Sequence, residues 1–429
     1  MSLLIFIVHL SVLIFFINRI SYFKNSGLSG IELNLFFLIK VMFGFILIYV
    51  YSRFYPERNL ADVFKYFDDA NVIYENGAAN GLSLWRVFSG IGFERNSEYA
   101  NLLLHNTHHF DKKGGGFLES NHLIVIRANL LLRSISGGNI FIHSLWFSFL
   151  SFIGFTGVYQ FLEKWFSSKL LFLKIVLFCF PSLLFWSSGL LKEALLFLGL
   201  GLALFSFEQF YFREKKFLLF LFALASLFTW FLKPFVCIAF ISALLFFVLY
   251  RFSKRAFYVS FITCFLLVLS FASKLSDELI SKRSEFVQVA RGNKSGSIVD
   301  SEFYADKSIG QLLAITPKSL FAVFFEPVCF RDFSLLQFPF LMESLFLIFS
   351  LILFLRYIDF RNSDKSLLIF LVFFSLLQMM IIGWSVPIVG AIVRYRVTAT
   401  PFIWIFLLHL INLNKFKYEF NKLYRIIKP

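Results

Sequence analysis

Apolar residues run through this chain in long blocks, and short polar stretches rich in Lys and Arg separate them. A helix needs roughly 20 mainly apolar residues to cross a bilayer core. The blocks at 3–18, 34–51, 140–162, 170–188, 194–211, 217–232, 235–250, 256–273, 338–355, 366–384 and 397–412 predict about eleven transmembrane helices. Several are a little short, which points to half-helices or local thinning. The first block has no basic n-region and no small-residue cleavage site, so it reads as a retained helix. The pattern predicts an all-α polytopic membrane protein, with residues 1–429 as one membrane domain.

Two long segments break the rhythm, 52–139 and 274–337, and both carry aromatic and aliphatic residues at helical spacing. Long loops with structure of their own are usually functional. In the first, Asn59 to Gly77 predicts a helix lying in the membrane interface, with Leu60, Val63, Phe64, Phe67 and Tyr74 on its apolar face. Asp68 and Glu75 fall at the edge of that face, and Asp69 points nearly opposite. A partly desolvated carboxylate there suits a general base acting on a sugar hydroxyl. The other reading is an ordinary solvated face of Asp62, Asp68, Asp69 and Glu75.

Composition narrows the class. Of 429 residues, 59% are hydrophobic, 16% are charged and 65 are Phe. A soluble domain of this size has no core able to hide so much apolar surface. Disorder requires low hydrophobicity and is excluded too. The net charge of +15 accompanies no basic, aromatic-interleaved module. It therefore reads as positive-inside topology and anionic lipid headgroups, with no nucleic-acid partner. Eighteen basic residues, among them Lys164, Lys169, Arg213, Arg251, Arg361 and Lys365, lie in alternate loops or the tail. This predicts the N-terminus outside, the C-terminus in the cytoplasm, and 52–139 and 274–337 as extracytoplasmic loops. No GxxxxGK[ST] or GxGxxG pattern occurs, which disfavours an ATP-driven engine. No whole-chain repeat and no pair of broken helices is evident, which disfavours a transporter. Cys179, Cys237, Cys264 and Cys329 form no paired spacing, so no disulfide framework or thiolate metal site is expected.

Two further stretches carry candidate chemistry. In Phe180 to Glu193, Pro181 predicts a kink and Trp186 an interfacial anchor. Lys192 and Glu193 then stand between two apolar blocks. They are either an anionic-headgroup site, with Glu193 as orienter or acid/base, or a turn whose charges reach water. In Pro387 to Arg396, Pro387 and Gly390 suggest non-helical backbone. An extended segment would turn Arg394 and Arg396 the same way, as a double guanidinium clamp for phosphate. The following helix N-terminus would add to it. Headgroup anchoring is the alternative. Elsewhere, Lys40 and Lys174 read as snorkelling cations, and Glu343 reads as bundle-facing. The run Arg291 to Ser297 reads as a lid or a solvated loop, with Lys282, Arg283, Glu326, Arg331 and Asp332 nearby. His105, His108, His109 and Asp111 match no zinc signature, so no metal is expected.

The aspartate-bearing loop helix and the Arg-Tyr-Arg group before the final helix resemble bacterial polysaccharide polymerases of the Wzy type. More broadly, they resemble GT-C membrane glycosyltransferases. The stretch 180–193 is similar to one in membrane proteins of surface-polysaccharide loci. The resemblance implies a GT-C-like bundle in the bacterial inner membrane. It implies a polyprenyl-phosphate or diphosphate sugar donor, a glycan acceptor and chemistry on the periplasmic face, without a cofactor. A flippase and a chain-length regulator are its implied partners. Asp68 or Asp69 would deprotonate the acceptor, and Arg394 and Arg396 would bind phosphate, with Lys192 nearby. A transporter or flippase of lipid-linked sugar or another anion is the alternative function.

Overall fold

The structure, a computed structural model, describes residues 2–55, 57–79, 105–108, 121–292, 298–299, 308–326, 338–361 and 363–419. Among these, the regular elements are helical apart from two isolated bridges. In chain order the helices are α1 (Ser2–Arg19), α2 (Ser21–Lys24), α3 (Gly30–Phe54), α4 (Asp62–Ala79), α5 (Asn121–Ser136) and α6 (Ile140–Leu162). Next come α7 (Leu170–Phe178), α8 (Pro181–Ser187), α9 (Lys192–Arg213), α10 (Leu218–Leu232), α11 (Pro234–Phe252) and α12 (Lys254–Ser270). The series ends with α13 (Ala272–Gly292), α14 (Ile309–Phe325), α15 (Phe338–Tyr357), α16 (Lys365–Ser385), α17 (Val389–Arg396) and α18 (Thr400–Leu410).

Each of the eleven predicted blocks falls on an apolar helix, but not all are continuous spans. Among the described residues six helices, α3, α6, α9, α11, α15 and α16, are long and apolar enough to cross a membrane, and the number is up to nine if each bent pair is one span. The bent pairs are α7 with α8 (45°), α12 with α13 (65°) and α17 with α18 (59°). The helix α10 has 15 residues, about 22 Å at 1.5 Å per residue, which is short of a core of about 30 Å. The helix α14, inside the second predicted loop, is also apolar. Pro181 opens α8 after the break, as its missing N–H and fixed φ favour.

The chain forms two compact units. One holds residues 1–164, 177–179 and 183–234, and the other 165–176, 180–182 and 235–429. In the first, α6 packs along α9, α9 along α10, and α3 along α6. Glycine permits the α6–α9 crossing. A Cβ on Gly201 would lie 1.9 Å from the Gly154 carbonyl oxygen, and one on Gly154 would lie 2.0 Å from that of Phe197. Without a hydrophobic driving force between helices in lipid, such small-residue contacts carry the packing. The helix α4 packs along α5 and buries Val63, Tyr66, Phe67, Ala70 and Ile73.

In the second unit α16 is central, against α13, α14 and α18. Loops expected on one membrane side meet there. The Lys169 ammonium donates to the carbonyls of Leu408, His409 and Ile411 at 2.7, 2.8 and 2.7 Å, capping the C-terminus of α18. Burial pulls its pKa down to about 8 while Asp359 opposes the fall, so it keeps its three donors at neutral pH. Arg251 lies 3.5 Å from Asp364, which also accepts a hydrogen bond from Trp165 Nε1 at 3.2 Å. In the first unit, Lys164 and Arg213, again from loops expected on that side, both reach Glu208.

Candidate functional site

The second unit holds a small cavity lined by Glu343, Ser344, Arg396, Thr400, Phe324 and Trp404, among others. Its two charged groups come from different helices. Arg396 ends α17, where it is 6% exposed. Its Nη1 donates to the carbonyls of Val323 (2.8 Å) and Phe324 (3.5 Å), and its Nη2 donates to Ser344 Oγ (3.4 Å). The guanidinium thus sits on the last-turn carbonyls of α14, where a cation complements the helix dipole. Glu343, on α15, is 5% exposed and accepts the Ser182 N–H at 2.6 Å. That N–H follows Pro181 at the start of α8 and has no intrahelical acceptor, so a carboxylate suits it. Among the described residues Glu343 and Arg396 form no ion pair with each other, yet both line the same cavity. Two groups of opposite charge held apart around a hollow among apolar helices make this the candidate site.

The break beside Arg396 leaves backbone groups that the surroundings satisfy. Thr400 Oγ1 donates to the Arg396 carbonyl at 2.8 Å, and Ser375 Oγ on α16 donates to the Ala399 carbonyl at 3.4 Å. Thr398 Oγ1 donates to Gln378 Oε1 at 2.6 Å. Irregular backbone among apolar helices persists only when buried polar groups supply such partners.

This geometry corrects the double clamp. Val389 to Arg396 is α-helical, not extended. Residues two apart on a helix are separated by roughly 200° around its axis, so Arg394 and Arg396 do not act as one fork. Gly390 lies in the first turn of that helix, where it interrupts nothing. Of the pair, Arg396 lines the cavity and Arg394 is not among the lining residues.

The other predicted residues lie in the first unit. Asp68 is bound by Arg58 through both oxygens, at 2.7 and 2.8 Å. Asp69 does not point to solvent. It is fully buried and accepts the His108 N–H at 2.7 Å, because the segment 105–108 folds over α4. Lys192 and Glu193 are not a solvated turn either. They begin α9 and are 8% and 0% exposed. Glu193 accepts from Lys233 Nζ at 2.8 Å, a buried ion pair joining α9 to the end of α10. Lys233, just before Pro234, carried the same signal as Lys192, a cation between two apolar blocks, and was missed.

Two further expectations fail in this unit. Lys40 does not snorkel. It is 2% exposed, donates to Ser187 Oγ at 2.6 Å, and lies 4.1 Å from the Phe155 ring centre. Trp186 is buried edge-on against Tyr51 rather than set out as an anchor. The unwound stretch between α8 and α9 is held by the Ser188 carbonyl, which accepts from Ser148 Oγ at 2.6 Å. Gly44 makes room for it, since a Cβ there would meet that oxygen at 2.4 Å.

His109, Asp111, Arg331, Asp332, Cys329 and the 293–297 part of the lid lie outside the described residues. Among the described residues no three His, Cys, Asp or Glu side chains gather as a metal-binding group.

Fold and site together define a helical protein with several apolar helices able to span a membrane, and with charged groups buried among them. Compared with known proteins, the chain matches no family model, no curated protein and no solved structure.

Proposed function

We propose that this protein is a membrane glycosyltransferase that takes sugar from a polyprenyl-phosphate or polyprenyl-diphosphate donor on the extracytoplasmic face, as a surface-polysaccharide polymerase. The observation that carries the reading is the cavity shared by Arg396 and Glu343. In this reading the acceptor oxygen attacks the anomeric carbon, and the bond from that carbon to the phosphate oxygen breaks. The acceptor proton passes to the Glu343 carboxylate, as to a general base. The prenyl phosphate leaves with the negative charge, facing the Arg396 guanidinium, whose planar donors suit phosphate oxygens. The base is assigned to Glu343 because it lines the same cavity as Arg396, and neither Asp68 nor Asp69 does.

The three bent helix pairs favour a second reading, a transporter of the same lipid-linked sugar, since transporters place sites at broken helices. One experiment separates the two. The purified protein in liposomes receives a polyprenyl-diphosphate oligosaccharide. The enzyme yields a lengthened glycan and free polyprenyl diphosphate. Movement of intact donor between leaflets without lengthening supports the transporter, and the absence of both results refutes both readings.

A further inference from the structure

The first unit contains a second constellation, independent of the cavity and built from residues with no place in the reading above. Ser136 ends α5, and His143 lies in the first turn of α6. Ser136 Oγ is 2.7 Å from His143 Nε2, and His143 Nδ1 is 2.8 Å from Asn129 Oδ1. Asn129 Nδ2 donates to the Val125 carbonyl at 2.9 Å, which turns its oxygen to the ring. Nδ1 therefore carries the imidazole proton, and Nε2 accepts from the serine hydroxyl. The N–H of Gly138 donates to the other side of Ser136 Oγ at 3.2 Å. Hydroxyl, base and orienter stand in the order that activates a serine nucleophile, an arrangement recognised by geometry and roles rather than by sequence position.

The place in the chain indicates the substrate class. His143 is the fourth residue of a long apolar helix, about 5 Å inside its end at 1.5 Å per residue. In a helix that spans a hydrocarbon core of about 30 Å, a residue this close to the end falls near the boundary with the headgroups, close to the ester carbonyls of lipids. Ser136 itself is 2% exposed. The two residues after it are glycines in left-handed conformation, Gly137 at φ 62° and Gly138 at φ 78°. Gly137 is exposed, with open space where a Cβ would be. The turn over the serine is open at Gly137, while the Arg133 guanidinium lies against Gly138, 3.2 Å from where a Cβ would be.

We propose that Ser136, His143 and Asn129 form an acyl-transfer site for lipid esters. The Ser136 oxygen attacks the ester carbonyl carbon, and its proton passes to His143 Nε2. The bond to the lipid alcohol breaks, and that alcohol leaves with the proton from Nε2. The acyl group, now an ester on Ser136, passes to an acceptor hydroxyl by the same steps in reverse. Asn129 holds the ring and is a positioning residue.

The test treats the full-length protein in nanodiscs with a fluorophosphonate probe and maps the adduct by mass spectrometry. A single adduct on Ser136 is expected, absent in Ser136→Ala. In His143→Gln, which keeps a polar side chain of similar reach, the labelling rate falls about 100-fold or more. In Asn129→Asp, which preserves the acceptor, labelling persists. A folded wild-type protein with no adduct at Ser136 overturns the proposal, as does wild-type labelling rate in His143→Gln. In either case the three side chains merely tie α5 to α6.

Discussion

Arg396→Ala lowers the turnover of a prenyl-linked sugar donor by about 10²–10³-fold, the range for losing one preorganised donor to a developing charge. Arg394→Ala leaves turnover near the wild-type level, because Arg394 does not line the cavity. Arg396→Lys falls between, since an ammonium keeps the charge and loses the planar fork. Glu343→Gln lowers turnover by about 10²–10⁴-fold while keeping shape and one acceptor for the Ser182 N–H. Donor turnover in liposomes, with size-exclusion profiles as the folding control, measures all four. The control matters because Arg396 also holds the end of α14. Equal effects of the two arginines, or full activity of folded Glu343→Gln, would remove the assignment.

The second large effect concerns stability. Glu193 and Lys233 form a buried pair at 2.8 Å. Glu193→Leu removes the counter-charge that Lys233 meets at 2.8 Å, and Lys233→Met does the same to Glu193. Each single change costs about 3–5 kcal/mol, the range for removing one partner of a buried pair. The combined change Glu193→Leu with Lys233→Met removes both charges and costs much less than the two single costs added. A double-mutant cycle read by thermal unfolding in detergent measures this. Additive losses would show that the two groups are not coupled.

Much of the fold was legible because the bilayer imposes a simple rule: apolar blocks become helices. Every predicted block is helical, and Pro181 marks a real break. Some loops grouped by their basic residues are in contact in the fold. Arg251 meets Asp364 in one unit, where Lys169 also reaches the end of α18, and Lys164 and Arg213 reach Glu208 in the other. Continuity of spans was less legible. The break at 397–399 depends on partners such as Ser375 and Gln378 that periodicity does not reveal, and the apolar run through 271 carries no mark of the bend there.

The sites were legible as residue types more than as geometry. Lys192, Glu193 and Arg396 stand out because ionised groups are costly beside apolar blocks, and all three are buried. Their partners are distant in sequence: Lys233 lies 40 residues from Glu193, and Ser182 lies 161 from Glu343. Arg394 and Arg396 misled because Pro387 and Gly390 read locally as breakers, whereas the helix starts at Val389, between them. Asp69 misled because a helical wheel knows nothing of a segment folding over it. His143 carried no sequence signal of its own, because only the fold places Ser136 and Asn129 on its two nitrogens.

The most direct measurement is photo-crosslinking in native membranes with a polyprenyl phosphate that carries a diazirine beside its phosphate. Label is expected on peptides containing Phe324, Glu343 to Leu347 and Arg396 to Trp404, displaced by excess unlabelled polyprenyl phosphate and lost in Arg396→Ala. Label confined to other helices, or unchanged by Arg396→Ala, would contradict the proposed site.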